Sequence, residues 1–213
     1  MKQESPTTPV ELAGERQKSY EEYLESDLGP DGNFRLLSNG EVIELPPEDE
    51  ENYFIADELA ELLKRLLKNR RLVKSNSTEL QVHPVGDDRV NRVPDLIVLR
   101  PEHLKLILEL KKNAVLLGMP APLLVAEVIS KGGERSANYR RDYEWKRQQY
   151  EWWGIAEYWI IDRHRQQVVI FTLKDGVYEE SIYRGSENMK SSLFPSLELL
   201  AEQALTGEFI NDD

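Results

Sequence analysis

Apolar and polar positions change their period several times along the chain, and each change predicts an element. Thr8-Pro9-Val10-Glu11 combines a capping residue, a proline suited to the first helical position and a glutamate placed to close a capping box. It predicts a first helix that runs to about Glu25 and packs peripherally. Residues Asn33 to Leu45 hold two apolar-containing runs around Asn39-Gly40, a hairpin in which both turn residues take positive φ angles and Glu41 opens the second strand. After an acidic connector, Pro46 to Glu51, an apolar stripe at Phe54, Leu59, Leu62, Leu63, Leu66 and Leu67 predicts a helix over Tyr53 to Asn69. Such a helix needs a sheet to bury it.

Strand patterns follow. Glu79 to His83 and Asn91 to Leu99 flank Gly86-Asp87-Asp88 and read as two strands joined by a short loop. Ala121 to Ser130 (APLLVAEVIS) is a nearly continuous apolar run, the pattern of a strand buried on both faces. Asn138 to Trp153 is helical, bounded by Gly132-Gly133 and Gly154. Glu157 to Asp162, Gln167 to Leu173 and Val177 to Tyr183 are strands, the last two joined by Lys174-Asp175-Gly176. The pattern gives an α/β or mixed α+β domain, a mixed sheet with a helix on each side.

Composition narrows the chemistry. The 213 residues contain no cysteine, which excludes disulfides, zinc knuckles, iron–sulfur clusters and thiol nucleophiles, and the three histidines are scattered too widely for a His-rich metal site. Any metal would sit among oxygens. The polar N-terminus and the lack of an apolar run near 18 residues make a cytoplasmic protein the expectation. A net charge of −12 argues against a nucleic-acid partner, but its distribution does not: residues 1–60 hold 16 acidic and 4 basic side chains, and residues 61–213 hold 23 of each. Lys131 to Arg147 has six basic and three acidic residues, either an ordinary solvated helix face or a phosphate-facing patch.

Two carboxylates stand where charge is costly. Asp95 interrupts Val93-Pro94-Asp95-Leu96-Ile97-Val98, and Glu127 interrupts Leu123 to Ile129. An ionised carboxylate in a buried strand costs several kcal/mol unless it meets a cation or donors. Two of them on adjacent strands suggest a shared Mg²⁺ or Mn²⁺, which binds through one or two carboxylates and keeps water; the alternative is that they point to solvent at strand ends. On the following helix Tyr139, Tyr143, Lys146 and Tyr150 share one face, with Asp142 four residues before Lys146. A lysine on an aromatic face must bring its charge to a carboxylate, a substrate or water.

These motifs carry a resemblance. An NGE hairpin, a PD strand, LLVAEVIS, RDYxxKxxxY and GIAEYWIID, in that order over residues 33–200, resemble the Uma2 family of restriction-endonuclease-like proteins. The resemblance implies the PD-(D/E)xK nuclease superfamily and its restriction-endonuclease-like core, a four-stranded mixed sheet flanked by helices. It also implies an N-terminal helical extension over 1–32, the nuclease-like domain over 33–205 and a tail over 206–213. By that resemblance Asp95 and Glu127 are the metal-binding acids, and Ile129 fills the place of the superfamily's lysine. Lys146, on the helix, becomes the candidate lysine, and Glu41 an additional acid near the metal. A competing literal match is Pro94-Asp95 followed after thirteen residues by Glu109-Leu110-Lys111, but LKLILELKK mixes charged and apolar residues as a solvated face does.

The expected activity is metal-dependent hydrolysis of DNA phosphodiesters. Lys146 would position water or stabilise the oxyanion, Asp142 and Tyr150 would support the site, and Arg140, Arg141 and Arg147 would grip neighbouring phosphates. Restriction-like enzymes that cut both strands often act as dimers, so a homodimer is expected. The rival readings are a catalytically inactive scaffold binding a protein or nucleic acid, and a DNA mimic working through the acidic N-terminal surface.

Overall fold

Local sequence rules account for most element boundaries in the computed structural model, which describes residues 19–28, 33–46, 49–129 and 136–209. Ser19 and Glu22 close a capping box at the start of α1 (Tyr20–Glu25); the earlier part of the expected first helix, from Thr8, lies outside the described residues. Far from packing peripherally, α1 is anchored inside the fold. Tyr20 and Tyr23 are buried, and both hydroxyls donate to the buried carboxylate of Glu79, at 2.7 and 3.2 Å.

The hairpin forms as β1 (Phe34–Leu36) and β2 (Val42–Glu44), with Leu36 opposite Val42. Its turn differs from expectation. Gly40 alone adopts positive φ (87°), while the Asn39 side chain accepts the Glu41 amide at 3.0 Å and holds the turn from within. Asp49 caps α2 (Glu50–Leu66), which starts three residues earlier than its apolar stripe suggests. Its buried side includes Ile55, Leu59 and Leu63, and Phe54 is half exposed.

A 3₁₀ turn (Arg70–Leu72) leads into β3 (Val73–Ser75), which the sequence pattern does not signal. Then come β4 (Glu79–Gln81), β5 (Asn91–Arg92) and β6 (Leu96–Val98). The single strand expected over Asn91–Leu99 is thus two: Pro94 carries no amide hydrogen for a ladder, and the chain passes there from one sheet to another. Next are α3 (Pro101–Leu110), β7 (Ala114–Val115) and β8 (Leu124–Val128). The long helix is composite: α4 (Ala137–Arg140), a π-helical segment (Arg141–Lys146) and α5 (Arg147–Trp153), closed by Gly154 at φ 84°. The strands β9 (Glu157–Asp162), β10 (Gln167–Lys174) and β11 (Val177–Tyr183) and helix α6 (Ala201–Thr206) complete the order.

The main sheet has the order β11-β10-β9-β8-β6-β3, antiparallel except for the parallel pair β8–β9. Two smaller sheets, β5-β4-β7 and β1-β2, stand beside it. Alternation along the strands sends Leu124, Ala126 and Val128 toward α2 and α6. Val125 and Ile129 point to the opposite core with Tyr150, Tyr158 and Ile160. By the same alternation Glu127 faces the side covered by α5. Among the described residues no helix is long and apolar enough to cross a membrane.

Glu157, at the start of β9, fastens the chain after β11. It is fully buried and accepts from Trp159 Nε1 (2.9 Å), Ser191 Oγ (2.8 Å), and the amide and hydroxyl of Ser192 (both 2.6 Å). Removing the carboxylate orphans several donors at once, each costing about 1–3 kcal/mol. Glu157→Ala is therefore expected to lower unfolding free energy by about 3 kcal/mol in urea titration, and Glu157→Gln by less.

Candidate active site

Register places the two acids together. Leu96 pairs with Ala126 across β6 and β8, so one step outward Asp95 stands opposite Glu127, and side chains directly opposite share a sheet face. Asp95 is 7% exposed and Glu127 3%. Asp95 Oδ2 accepts the Val128 amide at 2.6 Å, which ties the loop before β6 to the strand carrying Glu127.

The helix completes the cluster. In a π-helical segment hydrogen bonds reach five residues back and widen the turn, a feature common at functional sites. Here Asp142 and Lys146, and then Gln149 and Tyr150 on α5, are all turned inward and buried. Lys146 Nζ lies 2.8 Å from Glu127 Oε2 and 2.9 Å from Asp142 Oδ1. Tyr150 donates to Glu127 Oε1 at 3.1 Å, and the Arg141 guanidinium meets Asp142 at 3.1 Å. Burial pushes the Glu127 carboxyl above the usual carboxylate range, with Lys146 pulling it back and Asp142 adding to the rise. Burial acts on Asp142 in the same sense, yet Lys146 and Arg141 outweigh it and hold that group below its ordinary value.

The structure thus brings Asp95, Glu127, Lys146, Asp142, Tyr150 and Arg141 into one neighbourhood. Ile129 is packed in the core, and the lysine reaches Glu127 from the helix. Glu41 is exposed at the hairpin turn, on the hairpin face that also carries Arg35, since the register runs from Arg35–Ile43 to Leu37–Glu41. Arg147 is directed elsewhere, to Glu151 at 3.4 Å and over the Phe171 ring, and Arg140 stacks on Trp145 at 5.5 Å. Glu109 is 59% exposed on α3, paired with Lys105, and Lys111 is exposed at that helix's end. The literal Glu-Leu-Lys string therefore lies on a solvated surface.

Sequence reasoning missed a shell of arginines. Arg92 is buried and makes a bidentate pair with Asp87 (2.7 and 2.9 Å), and its Nε donates to Gln149 Oε1 at 3.0 Å. Gln149 in turn donates to the His83 carbonyl at 2.8 Å, so the clamp joins β5, the Gly86–Asp88 loop and α5. Arg89 Nε lies 3.3 Å from the same Asp87, and burial together with the neighbouring arginines lowers its pKa to about 10. Arg35 is also buried, close enough to Glu79 and Glu127 for their charges to act on it. The signal was present: Arg35 interrupts Phe34-Arg35-Leu36-Leu37 as Glu127 interrupts its own strand.

A metal at this site would draw on few protein ligands. Among the described residues no three acidic or histidine side chains are placed to hold one ion. Asp95 and Glu127 nevertheless form a buried pair of hard oxygen donors on one face. That donor set fits Mg²⁺ or Mn²⁺, which accept two carboxylates and complete their shells with water and phosphate oxygens.

The family model Uma2, described as "Putative restriction endonuclease", matches residues 20–202. The chain belongs to the Uma2 family. A solved structure from Anabaena variabilis ATCC 29413, titled as a putative nuclease belonging to DUF820, superposes with TM-score 0.59 at 16% identity, covering 88% of this chain and 97% of that one. At that identity the likeness establishes the shared fold. No curated protein sequence matches the chain. The Uma2 sheet here contains β6, β8, β9 and β10 as its centre, extended by β3 and β11 beyond the four strands the resemblance implies.

Two variants probe how the surroundings hold this Uma2 site. A Cβ at Gly86, whose φ is +65°, would come within 2.2 Å of the Trp145 ring, so Gly86→Ala is expected to cost about 1–3 kcal/mol by thermal melting. Burial alone would raise the Asp87 carboxyl, but Arg92 and Arg89 overcome it and hold it below 3.8. A depressed folded-state pKa contributes stability above the unfolded value that is lost as pH falls through the folded one. Asp87→Asn should therefore be less stable than wild type at pH 7, with the gap narrowing below about pH 3.8 in acid-unfolding curves.

Proposed function

We propose that this protein is a metal-dependent nuclease that hydrolyses DNA phosphodiester bonds. The observation that carries this reading is the meeting of Glu127 with Lys146 from the crossover helix, opposite Asp95 on the same buried sheet face. Asp95 and Glu127 would hold Mg²⁺ or Mn²⁺. When bound, such an ion supplies Lewis-acid stabilisation of phosphate charge and lowers the pKa of water.

The chain's own groups do the rest. Tyr150 and Lys146 each take one Glu127 oxygen, which fixes the carboxylate plane before any substrate arrives. Lys146 keeps a compact positive charge beside the reacting phosphate, where a low-dielectric setting strengthens its effect on a developing oxyanion. Asp142 holds that ammonium from the other side and orients Arg141, which then faces a phosphate oxygen. Glu41, exposed at the hairpin turn, is assigned as an outer acid. Arg140 is assigned to a phosphate flanking the scissile one, and Arg147, turned toward Glu151, to a more distant one.

Cleavage of supercoiled plasmid with Mg²⁺ or Mn²⁺ tests this reading. Glu127→Gln and Lys146→Ala are each expected to reduce cutting by about 100-fold or more, on the scale of losing one electrostatic catalytic group, while Glu109→Gln leaves it unchanged. A wild-type protein that neither cuts with any divalent ion nor binds one in calorimetry sinks the nuclease and favours an inactive scaffold.

A further inference from the structure

Between Leu62 and Thr78 the chain carries six cationic side chains and no carboxylate, in a protein whose net charge is −12. None of them belongs to the site described above. Lys64 and Arg65 lie in the last turn of α2 and complement its dipole. A lysine on an edge strand such as β3 discourages pairing with a second sheet, which gives Lys74 a reason to be there. Neither effect explains Arg70 and Arg71.

The structure gathers these residues into a groove. Lys64, Arg70, Arg71 and Lys74 line an open depression of about 410 Å³ with Glu61 and Ser75. Glu61 pairs with Lys64 at 2.7 Å and Arg70 at 2.9 Å, and Asp57 accepts from the Ser75 hydroxyl, so two carboxylates stand against four cations. The groove also has a direction. β3 runs antiparallel to β6, with Ser75 opposite Leu96, and the Asn76 amide donates to the Asp95 carbonyl at 3.0 Å. The 3₁₀ turn carrying Arg70 and Arg71 leads directly into edge strand β3, whose end at Ser75 lies within one strand spacing, about 5 Å, of the Asp95 backbone.

We infer that this groove is a track for the phosphodiester backbone of a DNA duplex, delivering one strand to the Asp95 end of the sheet. The inference rests on the nuclease reading and gives it a substrate-binding surface. It resolves the conflict between an acidic chain and a polyanionic partner: the acidic surplus is confined to residues 1–60, and the duplex meets a basic edge. The binding is backbone-directed, and a surface of this kind carries no base-reading code of its own.

The test measures binding apart from cutting. A fluorescent 30-base-pair duplex is titrated in Mg²⁺ with Glu127→Gln protein, at several salt concentrations, beside the same protein carrying Arg71→Gln and Lys74→Gln. A control carries Lys105→Gln and Lys111→Gln, an equal charge change on the exposed face of α3. The track predicts about a 10-fold loss of affinity for the first variant and a salt slope shallower by about two, at about 0.9 per phosphate contact, with the control unchanged. An equal loss in the control, unchanged affinity in the Arg71/Lys74 variant, self-association of that variant without loss of DNA binding, or tighter binding of an RNA duplex than of DNA would each overturn it. If the Glu127→Gln protein binds through the groove yet the wild-type protein never cuts plasmid with any divalent ion, the track stands and the nuclease reading falls. If Arg71→Gln and Lys74→Gln in an otherwise wild-type chain leave both plasmid cutting and duplex affinity unchanged, the reverse holds.

Discussion

An ionised carboxylate cannot stand alone on the inner face of a sheet, and the chain Glu127–Lys146–Asp142 is what permits one here. Glu127 lies in β8, a strand buried along its whole length, with apolar neighbours on both sides and a helix over it. Lys146 supplies the opposite charge, but a buried lysine has the same difficulty, and Asp142 relieves it from below. Arg141 closes the series at its half-buried end. Each member is tolerable only because of the next, so the helix must dock with its π-helical segment against β8 for any of them to be buried. Removing one partner from such a set is far more damaging than its net contribution suggests, because the remaining charge stays behind.

Around that series stands a second tier with the opposite balance. Asp87 neutralises Arg92 and approaches Arg89, Glu79 gathers two tyrosines and Asn91, and buried Arg35 is near enough to Glu79 and Glu127 to feel both charges. These contacts link the hairpin, the three-stranded sheet and the helix to the main sheet by polar bonds. On the same face the apolar cluster of Val125, Ile129, Tyr150 and Tyr158 packs directly against the site. The interior near the site is held by geometry-specific interactions as well, which fix side-chain positions more narrowly than apolar packing does.

Much of this was legible in the sequence, for a physical reason. Glu127 and Asp95 are conspicuous because strand burial makes a lone charge expensive, and Lys146 because the helical period puts it among tyrosines. The strands β8 to β11 and the two flanking helices follow from period alone. What escaped had no local signature. β3 and β7 are two or three residues long and exist because a neighbour pairs with them. Pro94 hid a change of sheet inside a run that alternates as one strand. Asn39 looked like a positive-φ residue but serves through its side chain, a choice made by the turn's hydrogen bonds. Helix α3 mixes charged and apolar residues, and its N-terminus is set by His103, which accepts the Arg100 amide at 3.0 Å and contacts the Pro120 carbonyl at 2.7 Å. That pairing joins residues the sequence keeps far apart.

Parallel strands cannot be joined by a tight turn, so the β8–β9 pair requires a long crossover, and the crossover here is the helix that carries Lys146. Acid, lysine and supporting tyrosine consequently lie on one uninterrupted stretch of chain, from Leu124 to Asp162. Asp95, and the proposed outer acid Glu41, are contributed from outside it. Insertions in the hairpin, in the small sheets or after β11 leave this stretch undivided, whereas a break between β8 and α5 separates the acid from its cation. Most of this site's polar centre is thus a single strand–helix–strand module, to which the β6–β8 pairing adds Asp95.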